Sequence, residues 1–139
     1  MKRIIAAVAV TVGLLFAASP VARAATPDYI PPPPPAEQIC AQAGTTAAYT
    51  YEAWLAGLIP YEGTVLADFS KLESLSQNNP PFQAQALAWS NAVNTLISDV
   101  QNGYNYSQAE ASYNNNEENM ANSCTVRDYP FTPDYLGII

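Results

Sequence analysis

Two cysteines, Cys40 and Cys124, bracket the central part of this 139-residue chain. In an oxidising compartment two lone cysteines usually pair, and the alternatives are a free buried thiol or a bridge between two chains. A bond that closes so long a loop would stabilise the fold by about 4–5 kcal/mol in the chain-entropy treatment, which is comparable to the whole stability of a small domain. The sequence therefore predicts one structural disulfide that holds the two ends of a domain together.

The N-terminal residues have the pattern of an export leader. Lys2 and Arg3 give a positive start, an apolar run follows, and Ala22-Arg23-Ala24 presents small residues where a signal peptidase cleaves. We therefore expect a signal peptide over residues 1–24, cleaved after Ala24, and a secreted, periplasmic or cell-envelope protein. The alternative is an uncleaved membrane anchor, but about fifteen apolar residues span a hydrocarbon core of ~30 Å poorly.

Removal of the leader would leave a strongly acidic chain. Lys71 and Arg127 are then the basic residues against twelve carboxylates, a formal net charge of −10. Such a surface cannot neutralise phosphates, so neither nucleic acid nor an anionic lipid surface is an expected partner, and the membrane is met only through the leader. Histidine is absent, which excludes Ser-His and Cys-His nucleophile pairs and histidine-based metal sites.

Prolines and apolar periodicity divide the mature chain into three parts. The run Pro31–Pro35 predicts an extended lead-in over residues 25–35, used as a stiff spacer or as a ligand for an aromatic-lined groove. Apolar residues then recur every three or four positions, which predicts a helical domain over residues 36–124. Residues 125–139 are expected to form an extended C-terminal tail.

The expected fold is all-α: a long antiparallel helical hairpin or a small bundle, closed by the disulfide. Gly57, Pro60 and Gly63 interrupt the first helical stretch, which predicts a bend near Pro60. Pro80 and Pro81 fit the start of a new helix. Because this reversal lies about midway between the cysteines, antiparallel arms would bring Cys40 and Cys124 to the same end.

Two sets of residues are candidates for binding a partner. Past Gly103 the apolar stripe weakens, so we expect a partner-binding face there, formed by Tyr106, Tyr113 and Met120. The pattern T-P-D-Y-aliphatic occurs at residues 26–30 and again at residues 132–136. This repeat indicates a paired docking patch of Tyr29 and Tyr135, with ordinary turn chemistry of Pro-Asp as the alternative.

The bend near Pro60 is the expected place for a ligand cleft or a catalytic site. Tyr51, Trp54 and Tyr61 could line a cleft for haem, since a phenolate can ligate haem iron, or could serve as packing aromatics. Glu52 and Glu62 could form a carboxylate pair for glycoside hydrolysis, or a solvated helix end.

Residues 114–118, three asparagines followed by two glutamates, offer oxygen ligands for calcium. They lack the spacing of a calcium loop, so no metal site is predicted.

Residues 82–110 resemble the second helix of the WxG-motif helical-hairpin proteins exported by actinobacterial type VII secretion. The resemblance rests on Phe82-Gln83, Trp89, Leu96, Val100-Gln101-Asn102 and the export signature Tyr106-x-x-x-Glu110. The chain departs from that family in its leader, its paired cysteines and its reversal Gln77–Pro81, which replaces W-x-G. The resemblance implies a helical hairpin that binds a protein partner.

Taken together, these patterns predict a non-enzymatic interaction or structural protein of the cell envelope or extracellular space. Its expected partner is another protein or a second copy of itself. An exported carrier of haem or of a small apolar ligand is the alternative, and a carboxylate-based hydrolase of wall polysaccharide is the third possibility.

Overall fold

The structure is a computed structural model that describes residues 35–137. The expected leader, the lead-in up to residue 34 and Tyr29 within it lie outside the described residues. The described part is all-α and contains no strand, which confirms the predicted fold class. It contains a short 3-10 helix, Ile59–Tyr61, and four α-helices: α1, Pro35–Leu55; α2, Glu62–Ser76; α3, Pro80–Asn102; and α4, Ser107–Thr125.

Glycine and proline set the ends of the helices. After α1 the chain turns at Gly57 (φ 103°) and at the buried Leu58 (φ 60°), both in the left-handed region that favours glycine. Helix α3 begins with Pro80. Proline suits this position because the N–H groups in the first turn of a helix have no hydrogen-bond partner within the helix. It ends at Gly103 (φ 72°), whose N–H donates to the carbonyl oxygens of Asp99 and Val100.

The four helices pack as an up-down-up-down bundle. Each helix contacts the next along the chain, and α4 returns to α1. At one end the rings of Trp54 and Tyr106 meet edge to face at 5.4 Å. At the other end the guanidinium of Arg127 lies 4.8 Å above the ring of Phe82. The structure therefore has the small-bundle form of the predicted fold, because both expected arms fold back on themselves, the second at residues 103–106.

The Cys40–Cys124 disulfide is formed, as predicted. Its two Cα atoms lie 5.8 Å apart and its residues are 84 positions apart in sequence. The bond joins the start of α1 to the end of α4, so it closes the bundle at the end that also contains the α2–α3 turn.

Aromatic rings from three helices form the centre of the core. The Trp89 ring lies 4.9 Å from that of Phe69 and 5.7 Å from that of Tyr113. All three side chains are fully buried. Edge-to-face and tilted contacts of this kind add to the free energy gained by burying the rings.

The chain after α4 is extended but packs against the bundle between α1 and α4. We call residues 129–137 the C-terminal strap. The Phe131 ring is nearly parallel to that of Trp89, with centroids 6.5 Å apart, and its Cβ lies so close to Gly44 on α1 that a side chain there would crowd it. Leu136 is fully buried. The strap thus completes the core where α1 and α4 are least closely packed.

Candidate functional site

The expected partner face of Tyr106, Tyr113 and Met120 is not present on the surface. Tyr113 and Met120 are 0% exposed, and only Tyr106 reaches solvent, at 41%. The physical reason is the spacing: residues seven apart lie on one helix face, and in α4 this face also carries Cys124 and points into the core. The apolar stripe looks weak in the sequence because the solvent-facing side of α4 is very polar. The apolar side of the helix is nevertheless fully packed in the core.

Exposed aromatic and aliphatic side chains gather instead at the end of the bundle opposite the disulfide. Both the α1–α2 and the α3–α4 connections lie there. We call this surface the aromatic end, and its members are Trp54, Leu55, Tyr61, Tyr104 and Tyr106. Leu55 and Tyr104 are 68% and 64% exposed, and Tyr61 is 42% exposed.

A cavity of about 300 Å³ opens at the aromatic end. Its lining consists of Trp54, Gly57, Leu58, Val100 and Tyr106. The residues come from α1, the α1–α2 connection, α3 and the N-terminal boundary of α4, so the cavity exists because both connections turn at the same end.

The structure divides the predicted ligand cleft of Tyr51, Trp54 and Tyr61. Trp54 lines the cavity, whereas Tyr61 lines a separate concavity with Tyr49 and Glu52. Tyr51 lines neither and packs against the core. Val100 and Tyr104 were not predicted as members of this surface, since only the reversal at Gly103 places them at this end of the bundle beside the start of α4.

Carboxylates border the aromatic end. Glu52 is exposed beside Tyr61, and Glu62 begins α2 and accepts a hydrogen bond of 2.8 Å from the Gln101 side chain. The two basic residues of the described chain lie elsewhere: Arg127 covers Phe82 at the opposite end, and Lys71 lines a concavity with Gln38 in the first turn of α1. This distribution gives the aromatic end a negative electrostatic potential.

The structure gives Glu52 and Glu62 different surroundings. The Glu62 carboxylate is engaged by Gln101, while Glu52 faces the concavity of Tyr49 and Tyr61.

A buried polar cluster lies on the other side of α4, beneath the strap. The side chain of Glu117 is 0% exposed, and its Oε2 accepts a 2.8 Å hydrogen bond from the backbone N–H of Asp134. Its Oε1, the Tyr113 hydroxyl, Thr50 Oγ1 and Trp89 Nε1 are buried without a hydrogen-bond partner. Burial raises the pKa of Glu117 to about 8. Glu117 therefore does not join Glu118 in a surface ion site.

No metal-ion cluster of three or more acidic or cysteine ligands occurs within residues 35–137. In the same range no helix is both long and apolar enough to cross a bilayer.

The strap contains the second T-P-D-Y copy. Tyr135 is half-buried and lines a surface depression with Ser112 and Glu118 of α4. Its expected partner Tyr29 lies outside the described residues, so their pairing stays a prediction. The copy at residues 132–136 packs against α4, where Asp134 hydrogen-bonds to Glu117 and Leu136 to Asn114; its role in docking a partner stays a prediction.

A comparison of the chain with protein-family models finds no matching family, and comparisons with curated proteins and with solved structures find no match. The resemblance of residues 82–110 to WxG proteins therefore stays a prediction. These residues comprise α3 from its third residue onward, the α3–α4 connection and the first turn of α4.

Proposed function

We propose that this protein is an exported, non-enzymatic binding module of the cell envelope or extracellular space. Its aromatic end holds a segment of a partner protein that carries both basic and apolar side chains. The observation that supports this proposal is the exposure of four large apolar side chains at the aromatic end, of which Tyr106 lines the cavity, together with the carboxylates of Glu52 and Glu62 at the same end. The resemblance of residues 82–110 to a partner-binding family agrees with it.

The chemistry of the partner follows from charge and ring faces. Lysine and arginine side chains are attracted both by carboxylates and by the faces of tryptophan and tyrosine rings. Trp54 is half-buried, and its ring is held by the edge-to-face contact with Tyr106. A partly buried aromatic side chain next to a cavity is the typical centre of a protein interface. An acidic segment would be repelled by the same surface.

The proposal is tested with a synthetic peptide of alternating lysine and leucine and a control peptide of alternating glutamate and leucine. We expect only the cationic peptide to bind residues 25–139 in calorimetry, with an affinity that falls as salt rises. Trp54→Ala should weaken binding at least tenfold. Leu87→Ala, which truncates an exposed side chain on α3 near the opposite end, should leave it unchanged. Equal binding to Trp54→Ala and the parent chain would contradict the proposed site.

A carrier of a small apolar molecule is the second candidate, favoured by the cavity itself. A volume of about 300 Å³ lies at the lower limit of small-molecule sites, which favours a compact ligand over the large macrocycle of haem. Native mass spectrometry of protein purified from its source distinguishes the candidates. A stoichiometric small-molecule adduct that is lost in Trp54→Ala would support the carrier, and an unliganded mass would remove it.

A further inference from the structure

The strap is attached to α4 through two side chains that lie one helical turn apart. Glu117 Oε2 accepts a hydrogen bond of 2.8 Å from the backbone N–H of Asp134. Asn114 holds the backbone of Leu136 with both ends of its amide: Oδ1 accepts the N–H and Nδ2 donates to the carbonyl oxygen, both at 2.8 Å. Residues three positions apart share one face of a helix, so the strap is attached along a single side of α4. Of these two attachments, the one at Glu117 depends on a side chain that can change its charge.

The Glu117 carboxyl has the surroundings of a neutral acid. Its side chain is fully buried, and within the described residues it accepts one hydrogen bond, from Asp134, while Oε1 has no partner. The two basic side chains of the described chain lie elsewhere: Arg127 covers a ring at the disulfide end, and Lys71 interacts with Asp68. A buried carboxylate without a cation beside it is strongly disfavoured against its protonated form. The packing of the docked strap therefore keeps the proton on Glu117.

The other titratable groups around Glu117 add no positive charge. The strap contributes Asp134, whose negative charge disfavours a second charge beside it, and Tyr135; α4 itself contributes Tyr113. Burial raises the pKa of both tyrosines above its ordinary value of 10, so both phenols stay neutral in the pH range in which a carboxyl titrates. The polar groups that α1 and α3 add to the buried cluster, a threonine hydroxyl and an indole, do not titrate. Glu117 is thus the group of this cluster that responds to pH.

We propose that Glu117 makes the strap a pH-dependent latch, which is docked while this carboxyl carries its proton and detaches when the carboxyl ionises. On detachment water reaches both oxygens, the proton passes from the carboxyl to water, and the carboxylate is hydrated. The side of Trp89 that faces Phe131 and the surface under Leu136 are then uncovered. A rise in pH therefore makes a covered apolar strip between α1 and α4 accessible. The latch does not involve the aromatic end, so it goes beyond the proposed function and does not rest on it.

Proton linkage gives the direction and the size of the effect. Because the docked state holds a proton that the detached state releases, the detachment equilibrium rises with pH, by at most about tenfold per pH unit. The rise begins near pH 4.5, the ordinary pKa of this carboxyl, and ends near its pKa in the docked state, about 8. Acidic solution therefore favours the docked strap, and increasing pH shifts the equilibrium toward the detached one.

The latch is tested by amide hydrogen exchange at Leu136 in residues 25–139. The Leu136 N–H donates to Asn114 and not to Glu117, so its exchange measures detachment of the strap and not the loss of a bond to the titrating group. In Glu117→Gln the side chain keeps its shape and an oxygen that accepts from Asp134, but it cannot ionise. We expect the ratio of the Leu136 exchange rates, parent over Glu117→Gln, to rise at least tenfold from pH 5 to pH 7. The intrinsic pH dependence of exchange cancels in this ratio, and a ratio that is constant with pH would overturn the latch.

Two controls accompany this measurement. Glu118→Gln changes the exposed neighbouring carboxylate and should exchange at Leu136 like the parent at each pH. The amide of Leu96, in the buried part of α3, measures global unfolding. Relative to its intrinsic rate, Leu136 should exchange at least tenfold faster than Leu96, because the helices stay packed when the strap detaches. Equal protection at the two amides would mean that the strap and the helices open together, which also contradicts the latch.

The reciprocal effect is measured on the parent carboxyl itself and does not require Glu117→Gln to fold. Carbon-13 NMR of the side-chain carboxyls follows the titration of Glu117. Asn114→Ala removes both hydrogen bonds to Leu136, so the strap should detach more readily and the Glu117 midpoint should move toward its ordinary value. Asn115→Ala, at an exposed neighbour, should keep the midpoint of the parent. An unchanged midpoint in Asn114→Ala would show that the proton and the strap are not linked.

Discussion

The backbone N–H of Asp134 donates its hydrogen bond to a carboxyl group, that of Glu117, which is entirely shielded from solvent. The strap is thus attached to the bundle through the Glu117 carboxyl, and burial of this carboxyl disfavours its ionised form. Burial is the main cause of the raised pKa of Glu117. The hydrogen bond from the Asp134 N–H lowers this pKa, and the negative charge of the Asp134 side chain raises it further. Tyr113 also faces this carboxyl from α4 itself.

Stability should decrease with pH because of Glu117. Its pKa is about 8 in the folded chain against an ordinary value of 4.5, so the folded state holds the proton more tightly. The resulting stabilisation is complete below about pH 4.5 and is lost as pH rises to about 8, by at most ~1.4 kcal/mol per pH unit. Urea unfolding at pH 5, 6, 7 and 8 measures this slope.

Glu117→Gln should remove most of the slope, because glutamine stays neutral. Glu118→Gln, which changes the exposed neighbour, should retain it. Asp68, whose pKa is also raised by burial, leaves a residual slope of the same sign in both variants. Identical slopes in Glu117→Gln and the parent chain would show that Glu117 is not the responsible group.

Reduction of the disulfide should lower the melting temperature by about 20–30 °C. The bond closes a loop whose ends are 84 positions apart, for which chain entropy gives about 4 kcal/mol, and a domain of this size loses about 4–8 °C per kcal/mol. Calorimetry with and without reductant measures the shift. Cys40→Ser/Cys124→Ser should melt near the reduced parent, and a loss of only a few degrees in both would contradict a structural role.

Phe131→Ala should detach the strap without unfolding the helices. The substitution removes the ring that stacks on Trp89 and should destabilise the chain by about 2 kcal/mol, less than a fully buried phenylalanine because Phe131 is partly exposed. Hydrogen exchange should accelerate at the amides of Asp134 and Leu136, which the strap contacts protect. Thr132→Ala, at an exposed neighbour, is the control and should leave these rates unchanged.

Two glycines should respond in opposite directions to alanine. Gly103→Ala should destabilise the chain by about 1 kcal/mol, because its φ of 72° is unfavourable for a residue with a Cβ. Gly63→Ala should stabilise it by about 0.5–1 kcal/mol, since Gly63 lies inside α2 with open space around it. Denaturant unfolding measures both changes, and a neutral Gly103→Ala would contradict the role given to this turn.

The T-P-D-Y repeat is tested by a double-mutant cycle on Tyr29 and Tyr135. If the two rings form one patch, Tyr29→Ala and Tyr135→Ala should have effects on unfolding free energy that differ from additivity by at least 0.5 kcal/mol. Additive effects would mean that the two segments act independently. Tyr49→Ala serves as a control partner in the cycle and should be additive with Tyr135→Ala.

Local signals in the sequence were sufficient for most helix boundaries. The break before Pro60 and the start of α3 at Pro80 follow from the geometry of proline and glycine, which acts within a few residues. Helix α1 begins at Pro35, one residue before the predicted boundary, because proline fits the first turn of a helix. The reversal at Gly103 was not predicted, because no proline accompanies it and the stripe continues with only a shift. Tyr113 and Met120 were misplaced because α4 is so polar that its buried face was taken for a surface.

The aromatic end could be predicted only in part. Trp54 and Tyr61 were recognised from their position beside the bend. Their neighbours Tyr104 and Tyr106 lie some fifty residues away in sequence, and only the packing of two connections at one end brings them together. A single sequence carries no signal for that proximity.

The disulfide turns the four helices into a covalently closed ring, and the strap lies after Cys124, outside that ring. The strap can therefore separate from the bundle as a local opening, with the helices still linked end to end. Such an opening requires less free energy than global unfolding, because the four helices keep their contacts with one another. The chain thus has two levels of order, a durable ring and a reversible covering segment.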